Sequence, residues 1–144
     1  MVPDYAQILR SHKMRVTAAR IAVLSTTHDF PHCDADEIRS HVEQRLGTIS
    51  GQAVYDALNS LTDAGILRRV EPAGVRARYE FDKGDNHHHI VCRLCGYMDD
   101  IDCQTGHAPC MTIDNDHGWH VDEAEVYFWG RCPQCLQTEQ RHSA

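Results

Sequence analysis

Two Cys-x-x-Cys pairs, Cys92–Cys95 and Cys132–Cys135, constrain this 144-residue chain more than any other feature. Gly96, directly after the first pair, lets the backbone turn tightly, so both sulfurs and the following N–H groups can face one cation. Four thiolates in two such knuckles are the donor set of a structural zinc site. The competing reading, a redox dithiol, explains one pair better than two. The gap between the pairs exceeds that of an ordinary small zinc ribbon, so the knuckles are expected at opposite ends of a small domain joined by the metal. Seven cysteines and no export signal at Met1-Val-Pro-Asp-Tyr5 point to reduced thiols in the cytoplasm. No stretch approaches the roughly 20 apolar residues of a membrane span.

The first knuckle lies within Asn86–Cys103, where His87, His88 and His89 precede it and Asp99, Asp100 and Asp102 follow. His87–Cys92 and Tyr97–Asp102 read as a hairpin about Cys95-Gly96. Strand alternation puts His87 and His89 on one face and His88 on the other. Trp119–Arg131 reads as a third strand region that returns Cys132 to the first knuckle, and a polar tail is expected after Leu136. A three-stranded sheet of this size needs metal and dimerisation to be stable.

Charge divides the chain. Up to Asp82 there are ten Lys/Arg against eleven Asp/Glu; from Lys83 onward there are four against ten, which together give the net −7. The basic residues thus gather in the first half and the thiols and clustered histidines in the second, so an anionic partner is expected for the first half. That half reads as helices over Asp4–His12, after an N-cap at Thr17, after an Asp34/Glu37 capping box, and over Gly51–Ala64, which Gly65 ends. Ile66–Val70 and Arg76–Phe81 then form a hairpin. Helices followed by a hairpin are the order of a winged helix-turn-helix, with the helix from Gly51 as the recognition helix. Gln52, Tyr55, Asp56 and Asn59 share its polar face, and Lys13, Arg15, Arg20, Arg76 and Arg78 are candidate backbone contacts. A solvated polar face is the plainer reading of the same residues.

The fold class expected is therefore α+β. A winged helix-turn-helix domain over 1–82 and a hinge over 83–86 precede a small α/β metal-binding dimerisation domain over 87–144, its antiparallel sheet closed by zinc.

Several stretches together resemble the ferric uptake regulator (Fur) family of dimeric, metal-dependent, winged-helix repressors. They are Arg15-Val-Thr17-x-x-Arg20-x-x-Val23-Leu24, Ala53-Val54-Tyr55, Leu61-x-x-x-Gly65-Ile66-Leu67, Ala77-Arg78-Tyr79-Glu80, His87-His88-His89-x-x-Cys92-x-x-Cys95-Gly96 and Cys132-x-x-Cys135. The resemblance implies structural Zn²⁺ on Cys92, Cys95, Cys132 and Cys135. It also implies a regulatory Fe²⁺ or Mn²⁺ on His32, Glu80, His87, His89 and Asp100, a donor mixture without thiolate that suits those ions. Lys13, Arg15, Arg20, Gln52, Tyr55 and Arg76 would meet double-stranded operator DNA, bound by a homodimer; no membrane, small-molecule substrate or enzymatic activity is implied. Asp56 departs from the basic or amide residue common at its position.

A further metal site of the family falls on Asn86, His88 and Ala124, two of them poor ligands, so it is expected to be degenerate. His88, His117, His120 and Glu123 are the residues from which one could be improvised. Asp100, where many members have Glu, resembles the peroxide-sensing (PerR) branch, in which Fe²⁺ and peroxide oxidise a coordinating histidine, here His87 or His32, and DNA is released. Asp85-Asn86-His87-His88-His89-Ile90-Val91-Cys92 and Asp122-Glu123-Ala124-Glu125-Val126 are similar to its actinobacterial type, which represses a catalase-peroxidase and its own gene.

The alternatives are an iron- or zinc-responsive repressor of uptake genes and a zinc-bound thiol redox protein. The latter needs an accessible activated thiol, and nothing near Cys103 is basic enough to supply one. Cys103 and Cys110 read either as a reversible disulfide or as small buried apolar residues, and Cys33 as incidental.

Overall fold

The computed structural model describes residues 1–143 and divides into two compact units, Met1–Lys83 and Gly84 onward. The first begins with α1 (Tyr5–Ser11), α2 (Ala18–Asp29), α3 (Ala35–Leu46) and α4 (Gly51–Asp63). Each helix starts where a side-chain oxygen accepts an otherwise unmatched backbone N–H: Asp4 from Gln7, Thr17 from Arg20, Asp34 from Glu37 and Ser50 from Ala53. At α3 the Glu37 carboxylate also accepts from the Asp34 N–H at 2.8 Å, completing the capping box. Gly65, with φ 76°, turns the chain out of α4 into β1 (Leu67–Val70), which pairs antiparallel with β2 (Arg78–Phe81) in a register that sets Arg68 opposite Glu80.

Helices α2, α3 and α4 pack on one another and on the hairpin. They bury Val23, Leu24, Ile38, Val42, Leu58 and Leu61 to essentially zero exposure, and Tyr79 of β2 joins the same cluster. Every member of that cluster lies in the first unit.

The second unit is built differently. Its sheet runs β4-β3-β5, with β3 (His88–Cys92) between β4 (Met98–Ile101) and β5 (Tyr127–Gly130). β3 and β4 pair antiparallel about the knuckle, but β5 pairs with β3 in parallel, aligning His89 with Tyr127 and Ile90 with Phe128. The sheet is thus mixed where an antiparallel one was expected. A parallel neighbour needs a long crossover, and residues 102–126, which carry no strand, provide it.

The polar tail expected after Leu136 is part of a helix, α5 (Pro133–Ser143), that starts within the second knuckle. Pro133 at its first position loses no useful hydrogen bond. Among the described residues, the buried apolar side chains of this unit are Val91, Cys92 and Met98. No described helix is long and apolar enough to cross a membrane.

Candidate metal centres and nucleic-acid face

The turn after β3, the start of α5 and the strand ends around them bring four sulfurs together. Cys92, Cys95, Cys132 and Cys135 place one Sγ each within 4.8 Å of the others, with Cys92–Cys135 at 3.8 Å and Cys95–Cys132 at 3.7 Å. A tetrahedral ion with Zn–S bonds of about 2.3 Å requires sulfurs about 3.8 Å apart. The Cys132 N–H donates to Cys92 Sγ at 3.3 Å, the kind of backbone contact that steadies a coordinated thiolate. Backbone donors at Cys95 and Cys132 pull the Cys92 thiol down to about 6, whereas the neighbouring sulfurs, Cys132 first, push Cys135 up to about 12. Four adjacent thiols cannot all ionise by themselves; a divalent cation at their centre removes that conflict. The residues fit zinc.

In the second unit a thiolate-free set stands at the other end of β3. Register pairs His89 with Asp100 across β3 and β4, and His87, two residues before His89, shares its face. Asp100 Oδ1 lies 3.4 Å from His89 Nε2 and 3.6 Å from His87 Nε2, and the two rings stand edge to face, 4.9 Å between centroids. His89 is fully buried. Asp85 Oδ1 approaches His87 Nδ1 to 2.7 Å; a carboxylate there accepts from Nδ1–H and leaves Nε2, on the Asp100 side, as the nitrogen that could bind a metal. Sequence reasoning placed Asp85 in a hinge and missed this role; an acid two residues before a ligand histidine was the available signal. Two imidazoles and one carboxylate are the facial triad that suits Fe²⁺ and related ions.

In the first unit His32 Nε2 stands 2.9 Å from Glu80 Oε2, both side chains buried. The pair is tightly held. The His32 N–H donates to the Tyr79 carbonyl at 3.0 Å, the Tyr79 N–H to the Cys33 carbonyl at 3.0 Å, and Arg78 Nη1 to the His32 carbonyl at 3.1 Å. His32 adopts φ 69°, a conformation that costs a non-glycine residue about 1–3 kcal/mol and persists where surrounding structure imposes it. Arg78, a candidate backbone contact, is half-buried and commits one guanidinium nitrogen to this scaffold. Neighbouring Cys33 is a half-buried thiol pushed up to about 11 by burial and by Glu37 and Asp34, and so is chemically inert.

On α4 the side chains of Gln52, Tyr55, Asp56 and Asn59 are exposed opposite Val54, Ala57, Leu58 and Leu61. Gln52 Nε2 donates to Asp56 Oδ1 at 2.8 Å, so the acid that departs from the family pattern orients the amide beside it. Lys13 and Arg15 are exposed; Arg20 donates to the Arg15 carbonyl at 2.7 Å, tying the start of α2 to the segment before it. Arg76, 70% exposed, reaches Asp34 at 3.4 Å and Asp36 at 3.0 Å.

Cys103 and Cys110, half-buried, lie in a group with His88. Cys103 is drawn down to about 6, first by the Thr105 hydroxyl, then by backbone N–H groups and His88. Hydrogen-bond donors thus activate this thiol where sequence reasoning found no activating cation.

A winged-helix unit joined to a small unit that carries a four-thiolate knuckle and a carboxylate–imidazole set defines a metal-responsive regulator. Residues 11–129 match the ferric uptake regulator family, and the chain is 51% identical over 142 residues to transcriptional regulator FurA of Mycobacterium tuberculosis, covering 99% of this chain and 97% of that protein. The chain belongs to the ferric uptake regulator family: it is a metal-dependent transcriptional regulator and not an enzyme. The fold agrees with that of the Helicobacter pylori ferric uptake regulator, a protein with three functional metal-binding sites (TM-score 0.70, 19% identity, 91% of this chain and 88% of that one). It also agrees with the Campylobacter jejuni peroxide stress regulator (TM-score 0.66, 22% identity, 92% of this chain and 100% of that one).

Proposed function

We propose that the chain is a cytoplasmic homodimeric repressor, holding operator DNA while Fe²⁺ or Mn²⁺ is bound and letting go when peroxide oxidises the iron form. Zn²⁺ on Cys92, Cys95, Cys132 and Cys135 is its structural ion. His32 and Glu80 combine with His87, His89 and Asp100 as ligands of the regulatory ion. The observation that carries this reading is Asp100 opposite two imidazoles, one of them backed by Asp85, with no thiolate among them.

His32, Glu80, His87, His89 and Asp100 would hold Fe²⁺, which would supply the peroxide chemistry; His87 or His32 would gain one oxygen atom from H₂O₂, whose other oxygen leaves as water. A histidine so altered is a poorer ligand, and the set comes apart. Dimerisation is supported by Ile90 and Phe128, adjacent across the parallel pair and each more than a third exposed in a unit with little core of its own. DNA contact is assigned to Gln52 and Tyr55 on α4, with Lys13, Arg15, Arg20 and Arg76 toward phosphates. Genes of oxidative defence, a catalase-peroxidase and the regulator's own gene, are the proposed targets.

Mobility shifts on DNA upstream of the regulator's own gene test the reading, with zinc-filled protein loaded with Fe²⁺ or Mn²⁺ before and after brief H₂O₂. Release of the Fe²⁺ form alone, not reversed by thiol reductant, is expected. If neither form responds, the protein reports metal level and its targets are metal-uptake genes. Release of both forms, reversed by reductant, would assign sensing to Cys103 and Cys110.

A further inference from the structure

We propose that His88, Cys103 and Cys110 form a third cation site, for a thiophilic divalent ion of the Zn²⁺ class. Their donor atoms all lie within 4.8 Å of one another, and His88 Nε2 is 3.2 Å from Cys110 Sγ. Tetrahedral zinc, with bonds of about 2.3 Å to sulfur and 2.0 Å to nitrogen, sets such donors about 3.5–3.8 Å apart. Small adjustments close this group around an ion.

The topology explains the meeting. Alternation along β3 turns His88 to the face opposite His87 and His89, and its register partner on β4 is Ile101, two residues before Cys103. The crossover loop then brings Cys110 back to the same place. Asn86 ties the loop down by donating from Nδ2 to the His107 carbonyl at 2.9 Å and to Cys103 Sγ at 3.4 Å. The Thr105 hydroxyl approaches the same sulfur at 3.3 Å. Donors aimed at sulfur are the outer contacts that stabilise a coordinated thiolate.

Of Asn86, His88 and Ala124, the positions that the family resemblance implies for a further site, His88 alone belongs to this group; the two sulfurs come from the loop. They also separate the site chemically from the imidazole–carboxylate set, since thiolates select a softer ion than Fe²⁺ or Mn²⁺.

Three protein ligands leave a fourth position open to water. The His88 Nδ1 accepts from the Val126 N–H at 3.3 Å, at the long end for such bonds. Coordination through Nε2 moves the ring proton to Nδ1, so that contact is given up. The ion is therefore held less tightly than in the four-thiolate site and exchanges with the medium.

The test titrates reduced, anaerobic, full-length protein, zinc-filled at Cys92, Cys95, Cys132 and Cys135, with Co²⁺ and follows absorption. A thiolate-to-cobalt charge-transfer band is expected, its final amplitude corresponding to one thiolate-bound cobalt per chain whatever further cobalt the imidazole–carboxylate set takes up. It should vanish in a Cys103→Ser/Cys110→Ser double variant that keeps its four-thiolate zinc, and Asn86→Ala should raise the apparent Kd about tenfold. Cobalt on imidazole and carboxylate ligands gives no such band, so the outcome does not depend on the regulatory site. Absence of the band, its persistence in the double variant, or isolation of Cys103 and Cys110 already joined as a disulfide would overturn the proposal.

Discussion

Removing the four-thiolate zinc should unfold the second unit and leave the first intact. The asymmetry follows from where the apolar side chains went. In the second unit Val91 and Met98 are the described side chains, cysteine aside, that are both apolar and buried, and burying each contributes about 1.5–3 kcal/mol. Structural zinc in small peptides contributes about 10–16 kcal/mol, several times that sum. The first unit has Leu9, Leu24, Ile38, Leu58, Leu61 and other fully buried aliphatics and includes none of these four ligands.

The assay is hydrogen exchange read by mass spectrometry on peptides covering β3 and α4, as a mercurial displaces the zinc and a chromogenic chelator counts it. Protection over residues 88–92 should collapse in step with zinc release, protection over 51–63 should hold, and adding zinc to reduced protein should restore the former. If β3 exchanges slowly after the metal has gone, or α4 opens at the same step, zinc is not what holds the second unit apart from the first in stability.

Leu58→Ala opens a cavity in the first unit and should cost about 3–5 kcal/mol; calorimetry should show its melting temperature lowered by roughly 15 °C, and a drop under about 5 °C would mean the site collapses to fill the space. In protein carrying zinc on the four-thiolate site alone, alkylation followed by mass spectrometry should label Cys103 early and Cys33 late near neutral pH. Cys103 is ionised above about 6 and slows as pH falls through that value, whereas Cys33 stays protonated until about 11; equal rates would contradict both environments. Arg15→Ala should weaken operator binding and make the dependence of log K on log salt shallower by about 0.9, the contribution of one phosphate, and an unchanged slope would remove Arg15 from the interface.

The parts of the fold visible in the sequence were those fixed by neighbours in the chain. Thr17 and Asp34 cap helices because a cap is a three-residue event. His87 and His89 share a face because strands alternate, and two knuckles imply one ion whatever lies between them. What escaped depends on long-range pairing. The parallel register of β5 is decided by a crossover without periodicity. Arg78, half-buried, reaches the His32 carbonyl because Cys33 bridges to Tyr79, a contact between residues far apart in the chain. The approach of Cys103 and Cys110 to His88 rests on the same crossover, and Asp85 was hidden by a polar segment that composition reads as hinge. Strand alternation fixes the direction in which His88 points, but the groups it meets there are fixed by the crossover.

Arg76 already has anions. Asp34 and Asp36 occupy its guanidinium, so under the proposed DNA contact a phosphate would not meet a bare cation but would have to displace two carboxylates. Both acids sit at the start of α3, where the helix dipole and the exposed N–H groups favour negative charge, and they remain well placed after Arg76 leaves. The exchange is nearly balanced for an isolated phosphate and becomes favourable only when other contacts on the same face hold the backbone in place. On the proposed reading, Arg76 would add little to stray encounters with polyanions and most to a fully docked duplex.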